Sequence, residues 1–236
     1  ISGGLTDELS ARLSVLSQER DDYIDNAFTG ENDAIVGYDE KAYRLQLLWE
    51  PSADFSALLN VHGRELEGTA SIFRANVFTK GSNELNENYD RETVFYDGDL
   101  QGDGIDNNPQ EYDGFGASLK LEYDMDDVTF TSISAIETAE GSSLGDVDGG
   151  FNLADGTSGP GFIPFSAVTQ DNLDDLEQYT QEFRLSSNSR DALNWQVGAF
   201  YYDASFNVTS IDGYFGATTV FHDNQTWAVF GQKSYQ

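Results

Sequence analysis

The chain has 236 residues and carries 42 Asp and Glu against 12 Lys and Arg, a formal charge of -30. A surface this acidic repels phosphate backbones, which excludes nucleic acid as a partner, and the absence of cysteine removes disulfides and thiolate metal sites. No apolar run approaches the roughly 20 residues of a membrane helix, and nothing reads as a Pro-rich or Gly/Ser linker, so one large all-β domain over 1–236 is expected.

The chain opens on Ile1-Ser-Gly-Gly4 with no initiating Met, basic region or apolar leader, which reads as an internal start. Leu5 to Glu8 reads as a turn. A first strand then runs from about Leu9 to Tyr23, with Leu9, Ala11, Leu13 and Val15 alternating with Ser10, Arg12 and Ser14. The second, Tyr38 to Glu50, sets Tyr43, Leu45, Leu47 and Trp49 against Arg44, Gln46, Leu48 and Glu50. Pro51 to Asp54 reverses the chain into a third strand, with Phe55, Ala57, Leu59 and Val61 opposite Ser56, Leu58, Asn60, His62 and Arg64. The fourth, near Glu111 to Tyr123, alternates Phe115, Ala117, Leu119, Leu121 and Tyr123 with Gly116, Ser118, Lys120 and Glu122. Asp124 to Asp127 turns it into a fifth, Val128 to Glu137, whose alternation is the weakest. The clearest hairpin, Gln178 to Asp203, supplies the sixth and seventh strands around Ser187 to Ala192, and an eighth begins near Asn224 with Trp227 and Val229 on one side. No helical periodicity competes with these assignments.

Short and long connections alternate strictly. The short ones are Pro51 to Asp54, Asp124 to Asp127 and Ser187 to Ala192. The long ones are Asp25 to Gly37, Leu66 to Gln110, Thr138 to Leu176 and Asn207 to Asp223. In an up-and-down antiparallel sheet alternate connections share an end, so one rim carries tight turns and the other a crown of loops. That is the signature of a transmembrane β-barrel with short periplasmic turns and long extracellular loops. Structureless loops of this length are uncommon in compact soluble domains, so their recurrence on one rim needs an architectural reason. Trp49, Phe55, Tyr123, Phe130 and Trp195 gather beside the short turns, as an aromatic girdle at a lipid interface would. A soluble β-sandwich would show the same alternation and aromatics without the loop asymmetry.

Four stretches resemble the barrel domain of TonB-dependent outer-membrane receptors. They are Gln181-Glu-Phe-Arg-Leu-Ser-Ser187, Asn194-Trp-Gln-Val-Gly-Ala-Phe-Tyr-Tyr-Asp203, Trp227-Ala-Val-Phe-Gly-Gln232, and Leu47-Leu-Trp-Glu-Pro51 running into Asp54-Phe-Ser56. The resemblance spans nearly the whole chain as strand and turn rhythm. It implies that 1–236 is a barrel segment of about eight strands belonging to a larger barrel in the outer membrane of a Gram-negative cell. It also implies a plug domain, a TonB complex as partner, outer-membrane lipid around the barrel, and energised uptake of a small nutrient such as a siderophore, cobalamin or saccharide. The plug and TonB box are absent from these residues, and Ser234-Tyr-Gln236 ends without a terminal aromatic, so a middle segment is expected. Two alternatives stay open: a complete eight-stranded barrel serving as adhesin or structural protein, and a secreted calcium- or carbohydrate-binding β-protein.

Catalysis is not expected, because two histidines far apart, no cysteine and no Gly-x-Ser-x-Gly elbow leave no nucleophile with its base. Arg44, His62, Arg64 and Lys120 share the polar parity and are candidates to contact an anionic ligand or the plug, or else to pair with Glu50, Glu122 and Glu182 in a charge lattice. In the loop Asp97 to Asn108, oxygen ligands at Asp97, Asp99, Asp103 and Asp106 with interleaved glycines suit a hard cation such as Ca²⁺. The twelfth position is Asn108 rather than Glu, so a solvated acidic loop is the competing reading. Gly149 to Pro164, followed by Phe165, reads as a loop whose aromatics suit either ligand stacking or local packing.

Overall fold

The computed structural model describes residues 1–69, 72–74, 77–87, 89–96, 108–148, 167–188, 193–213 and 216–235. Among them the chain forms β1 (Ser2–Gly4), β2 (Leu9–Arg20), β3 (Ile24–Asn26), β4 (Glu31–Ile35), β5 (Tyr38–Ser52), β6 (Phe55–Thr69), β7 (Thr93–Val94), β8 (Pro109–Asp124), β9 (Val128–Asp146), β10 (Val168–Ser187), β11 (Leu193–Asp212) and β12 (Gly216–Tyr235). Nine of these make one sheet in the order β1-β2-β5-β6-β8-β9-β10-β11-β12, and every pairing in it is antiparallel. This is the expected up-and-down architecture of a barrel segment, and the sheet is open rather than closed. The large sheet has nine strands where the sequence suggested about eight, because Ser2–Gly4 folds back through the Leu5 to Glu8 turn onto β2.

Turn chemistry holds the short rim together. Ser52 pairs with Phe55, so Ala53 and Asp54 alone make the β5–β6 loop, with a bulge between Trp49 and Ser52 absorbing the reversal. At β8–β9, Asp126 takes the left-handed conformation at φ 64, and the Met125 amide donates to the Val128 carbonyl at 2.8 Å. Aspartate tolerates that backbone better than a branched residue does.

The long rim departs from the expectation in two places. Thr138 to Asp146, Val168 to Leu176 and most of Asn207 to Asp223 are ladder: β9 and β10 pair as far as Asp146↔Val168, and β11 and β12 pair to Asp212↔Gly216. Only three residues then join β11 to β12. The alternation fails in these segments because Asp, Asn, Ser and Thr occupy both faces of the strands there. In β10 a bulge at Asp174 to Leu176, with Asp175 at φ 52, also shifts the phase of the pattern.

The other two long connections carry the compact packing. β4-β3-β7 form a separate three-stranded sheet, drawn from the β2–β5 and β6–β8 connections. Ile24, Ile35, Val94 and Tyr96 make its buried core, with Ala34, Val36 and Ile72 packed against it. Fully buried Asn26 ties it together: Nδ2 donates to the Tyr96 carbonyl (3.0 Å), while Oδ1 accepts from the amides of Tyr96 (3.1 Å) and Phe28 (3.1 Å). The described parts of these loops are therefore a cap with its own core. Where the cap meets β5, Val36 sits at φ 81, a costly conformation for a β-branched residue. Its carbonyl accepts from Arg20 Nε at 2.8 Å, and its amide donates to Thr69 Oγ1.

Burial pushes the Tyr96 phenol up to about 12, with the Asp146 and Asp148 carboxylates adding to the shift. Below its ordinary value of about 10 the phenol is neutral whether the cap is folded or not, so stability there is untouched. Between about 10 and 12 the unfolded chain releases the proton while the folded cap retains it, and the cap loses stability over that window. A difference titration of tyrosinate absorbance between wild type and Tyr96→Phe is expected to isolate one phenol with its midpoint at about 12. A midpoint at the ordinary value would mean that the cap does not bury it.

Candidate functional site

Cross-strand partners in an antiparallel sheet point to the same side, so the register sorts the side chains into faces. One row reads Ser14, Arg44, His62, Gly116, Glu137, Gln178, Ala204, Asn224 across eight strands. A row on the opposite face reads Ala11, Leu47, Leu59, Leu119, Ser134, Gln181, Tyr201, Trp227. The two faces inferred from alternation are thus two faces of one continuous sheet, and Arg44, His62, Arg64 and Lys120 all lie on the polar one.

On that face three of the four are engaged. His62 Nε2 meets Glu137 Oε2 at 3.2 Å, while Asn60 Nδ2 lies 3.2 Å from His62 Nδ1. This pair reaches across β8 because Gly116 stands between its members in the register: a Cβ there would lie 2.1 Å from Glu137 Oε2 and 2.5 Å from His62 Cε1. Arg64 Nε donates to Glu40 Oε1 at 2.7 Å and covers the Tyr112 ring at 5.3 Å. Lys120 pairs with Glu122 at 2.9 Å, and Arg184 pairs with Glu182. The charge lattice is present, with Glu40 and Glu137 taking positions that the sequence did not suggest and Glu50 taking none. Among the described residues Arg44 and Arg12 have neither hydrogen bond nor ion pair. Arg12 faces Gln46, diagonally next to Arg44, so the two unengaged arginines occupy neighbouring same-face positions on adjacent strands. Alternation placed Arg12 on this face but could not show that it lacked a partner.

The apolar face carries two aromatic belts. Trp49 packs edge-on against Phe55 (5.8 Å), Phe55 lies beside Tyr123 (6.5 Å), and Tyr123 is paired in register with Phe130. Trp195 continues this belt near the short rim. A second belt, missed in the sequence, comprises Tyr43, Phe115, Tyr179, Tyr201 and Trp227. The belts cross the hydrogen-bonding rows obliquely and in parallel. Tyr43 and Phe115 share one row, Tyr179 lies one row nearer the turns, and Tyr201 and Trp227 one row nearer still. The lower belt steps the same way, from Trp49 to Phe55, Tyr123 and Phe130, then to Trp195. Their separation is six residues on β5 (Tyr43 to Trp49) and β11 (Trp195 to Tyr201) and eight on β8 (Phe115 to Tyr123), about 20 to 27 Å along a strand. Between the belts Leu45, Leu47, Leu59, Val61, Ala117 and Leu119 are apolar. The polar members satisfy one another: Ser134 Oγ donates to Gln181 Oε1 (2.5 Å), and Gln181 Nε2 donates to Ser132 Oγ (3.1 Å).

The remaining candidates are quickly placed. Asp97, Asp99, Asp103 and Asp106, and the aromatic loop Gly149 to Pro164 with Phe165, lie outside the described residues. Asn108, at the end of the acidic motif, is buried at φ 51 and accepts the Asp146 amide on Oδ1 at 2.9 Å. Among the described residues no three His, Asp or Glu side chains converge as a metal requires. His222 lies within β12, stacked on Phe206 at 4.5 Å, and not at a loop end.

No protein-family model matches the chain. Solved structures do resemble it. The ferric yersiniabactin uptake receptor FyuA of Yersinia pestis matches 99% of this chain and 33% of its own at 16% identity, with a TM-score of 0.71. The siderophore receptor PiuA of Acinetobacter baumannii matches 98% of this chain and 37% of its own at 12% identity and TM-score 0.62. The RagAB peptide importer matches 99% of this chain and 29% of its own at 10% identity and TM-score 0.52. The chain therefore has the fold of a segment of an antiparallel β-barrel wall and spans about a third of the length of these neighbours.

Gly116→Ala tests how the polar face is built. The added methyl meets the movable ends of two side chains, so the expected result is displacement of Glu137 from His62 with a stability loss of no more than about 1 kcal/mol, the usual size for a partly exposed pair. Imidazole NMR would report the loss. An unchanged His62 resonance would mean that the pair does not depend on the missing Cβ.

Proposed function

We propose that the chain is part of the wall of an outer-membrane TonB-dependent receptor, with its apolar face in lipid and its polar face toward the lumen, serving energised uptake of a scarce nutrient of the siderophore, cobalamin or saccharide kind. The observation that carries this reading is the pair of parallel aromatic belts. A barrel's strands are tilted, so a lipid layer of constant thickness must cut the hydrogen-bonding rows obliquely, with its two interfaces parallel. A soluble sandwich has no reason to hold two aromatic lines on one slant. The slant therefore favours lipid, and the likeness to siderophore receptors and a peptide importer supports import.

The polar face supplies the second half of the reading. His62, Arg64 and Lys120 are held by carboxylates, whereas Arg12 and Arg44 are not, so these two arginines are the groups for an anionic ligand or an interior plug domain. Arginine suits either, since its fork binds carboxylate or phosphate through two parallel hydrogen bonds. The chain accounts for a third of the first neighbour's length (33%). Contact with a plug and with the TonB complex is accordingly proposed of the whole receptor, not of these strands alone.

Two measurements test the proposal. In lipid vesicles, Leu47→Arg or Leu59→Arg is expected to destabilise the folded barrel by about 2 to 4 kcal/mol, whereas Gln46→Arg and Asn60→Arg are mild; equal sensitivity of the two faces would count against the membrane. In cells, uptake of labelled ferric siderophores, cobalamin and oligosaccharides by the full-length protein is expected to stop when a protonophore collapses the membrane potential. Uptake that survives would make the barrel a passive pore.

A further inference from the structure

On the apolar face, just above the upper belt, β9, β10 and β11 enclose a cleft of about 660 Å³. Tyr179 and Tyr201 form its aromatic wall, with ring centroids 6.1 Å apart and planes tilted by 55°. Glu177 and Asp203 stand on the loop side of those rings, one register row beyond Tyr179 and Tyr201 respectively, and Ile136 flanks Tyr179 in its own row. The Asp203 carboxylate is fixed from one side only. Tyr201 OH donates to Oδ2 at 2.6 Å and Gln225 Nε2 donates to the same oxygen at 3.1 Å, leaving Oδ1 without a partner among the described residues. Glu177 makes neither hydrogen bond nor ion pair there, and no Lys or Arg lines the cleft.

Two carboxylates without a cation, set against two tyrosine rings, select a particular chemistry. A hard metal ion takes six or more oxygens and has no use for aromatic walls. An organic ammonium uses both features: its charge meets the carboxylates, and its methyl or methylene groups lie on the ring faces. The position supplies the rest of the identification. The cleft opens at the level of the belt, where headgroups meet hydrocarbon, and Ile136 and the apolar band beneath continue as a surface for acyl chains. A second cleft, of about 500 Å³, repeats the recipe one step along the slant, where Tyr43 and Phe115 flank Gly63 below Glu65 and Asp113. Unlike the first, it is also lined by cations, Lys41 held by Asp39 at 2.7 Å and Arg64 held by Glu40 at 2.7 Å. Recurrence at one height fits a layer of lipid better than a single soluble ligand.

We propose that the Tyr179–Tyr201–Asp203–Glu177 cleft binds the ammonium headgroup of a lipid, ethanolamine or choline in kind, and seats that lipid against the barrel wall. The proposal rests on the membrane reading above, and its test separates the two. Native mass spectrometry of the full-length protein, released from micelles containing phosphatidylethanolamine, phosphatidylcholine and phosphatidylglycerol of identical acyl chains, is expected to show the two ammonium lipids retained roughly five-fold or more over the glycerol lipid. Asp203→Asn combined with Glu177→Gln is expected to bring that ratio to unity, and Glu177→Gln alone, at an exposed site of no structural consequence, to lower it. Asp126→Asn at the opposite rim is expected to leave it unchanged. Lipid retained without headgroup preference, or a preference indifferent to both cleft variants, would overturn the cleft and leave the membrane reading standing. A protein that retains no lipid and stays soluble without detergent would overturn both. Tetramethylammonium bound as tightly as the lipids would show that the site reads a free cation and would overturn the lipid assignment.

Discussion

Pairing of every backbone amide and carbonyl in one continuous antiparallel ladder is the constraint on which the rest of this structure depends. Hydrocarbon offers no partner for an open N–H or C=O, so a lipid-facing chain must satisfy them all within the sheet. From β5 to β11 the strands of the large sheet are paired on both sides, β2 and β12 being its outer strands, and its bulges are confined to the β5 turn and to the loop-side part of β10. Once the ladder is set, the side of each residue follows, because a slip of one position would turn every apolar side chain of a strand to the polar face. The faces are therefore not separate achievements of separate strands. They are one consequence of one register.

That register also explains the chemistry of the polar face. An acidic chain with few cations on this face has to distribute them, and it does so across strands rather than along the nearest sequence neighbours alone. Glu137 reaches His62 over a strand that has no side chain to offer at Gly116, and Arg64 finds Glu40 on the neighbouring strand. The partly exposed pairs contribute little stability individually. Their effect is to leave Arg12 and Arg44 as the unengaged positive charges of the face among the described residues.

The cap obeys a different rule. A single sheet with a solvated polar side has no buried interior, and the large sheet here buries almost nothing completely. The residues that do form a hydrophobic core, Ile24, Ile35, Val94 and Tyr96, come from connections between strands. Long connections over a barrel rim have no sheet face to pack on, so to be ordered they must pack on one another. Asn26 makes that possible by supplying the hydrogen bonds that the Tyr96 backbone would otherwise lack inside the core.

How much of this could be read beforehand follows from where the two faces of the sheet differ in polarity. Between the belts one face is apolar and the other polar, so period-two alternation is strong, and the strands, turns and faces there were legible residue by residue, including the shared face of Arg44, His62, Arg64 and Lys120. Beyond the upper belt both faces are polar, the alternation fades, and Thr138 to Asp146 and Asn207 to Asp223 read as loops although the ladder continues through them. The upper belt was invisible for a further reason: Tyr43, Phe115, Tyr179, Tyr201 and Trp227 are scattered over 185 positions, and only the stagger of neighbouring strands sets them in line. The same holds for Asp203 beside Tyr201 and Gln225, and for His62 beside Glu137. Sequence by itself determined the alternation, the turns and the direction each side chain faces, since these depend on nearest neighbours along the chain. Tertiary structure alone decided which residues meet across strands, because register is a property of pairs of strands and no single strand contains it.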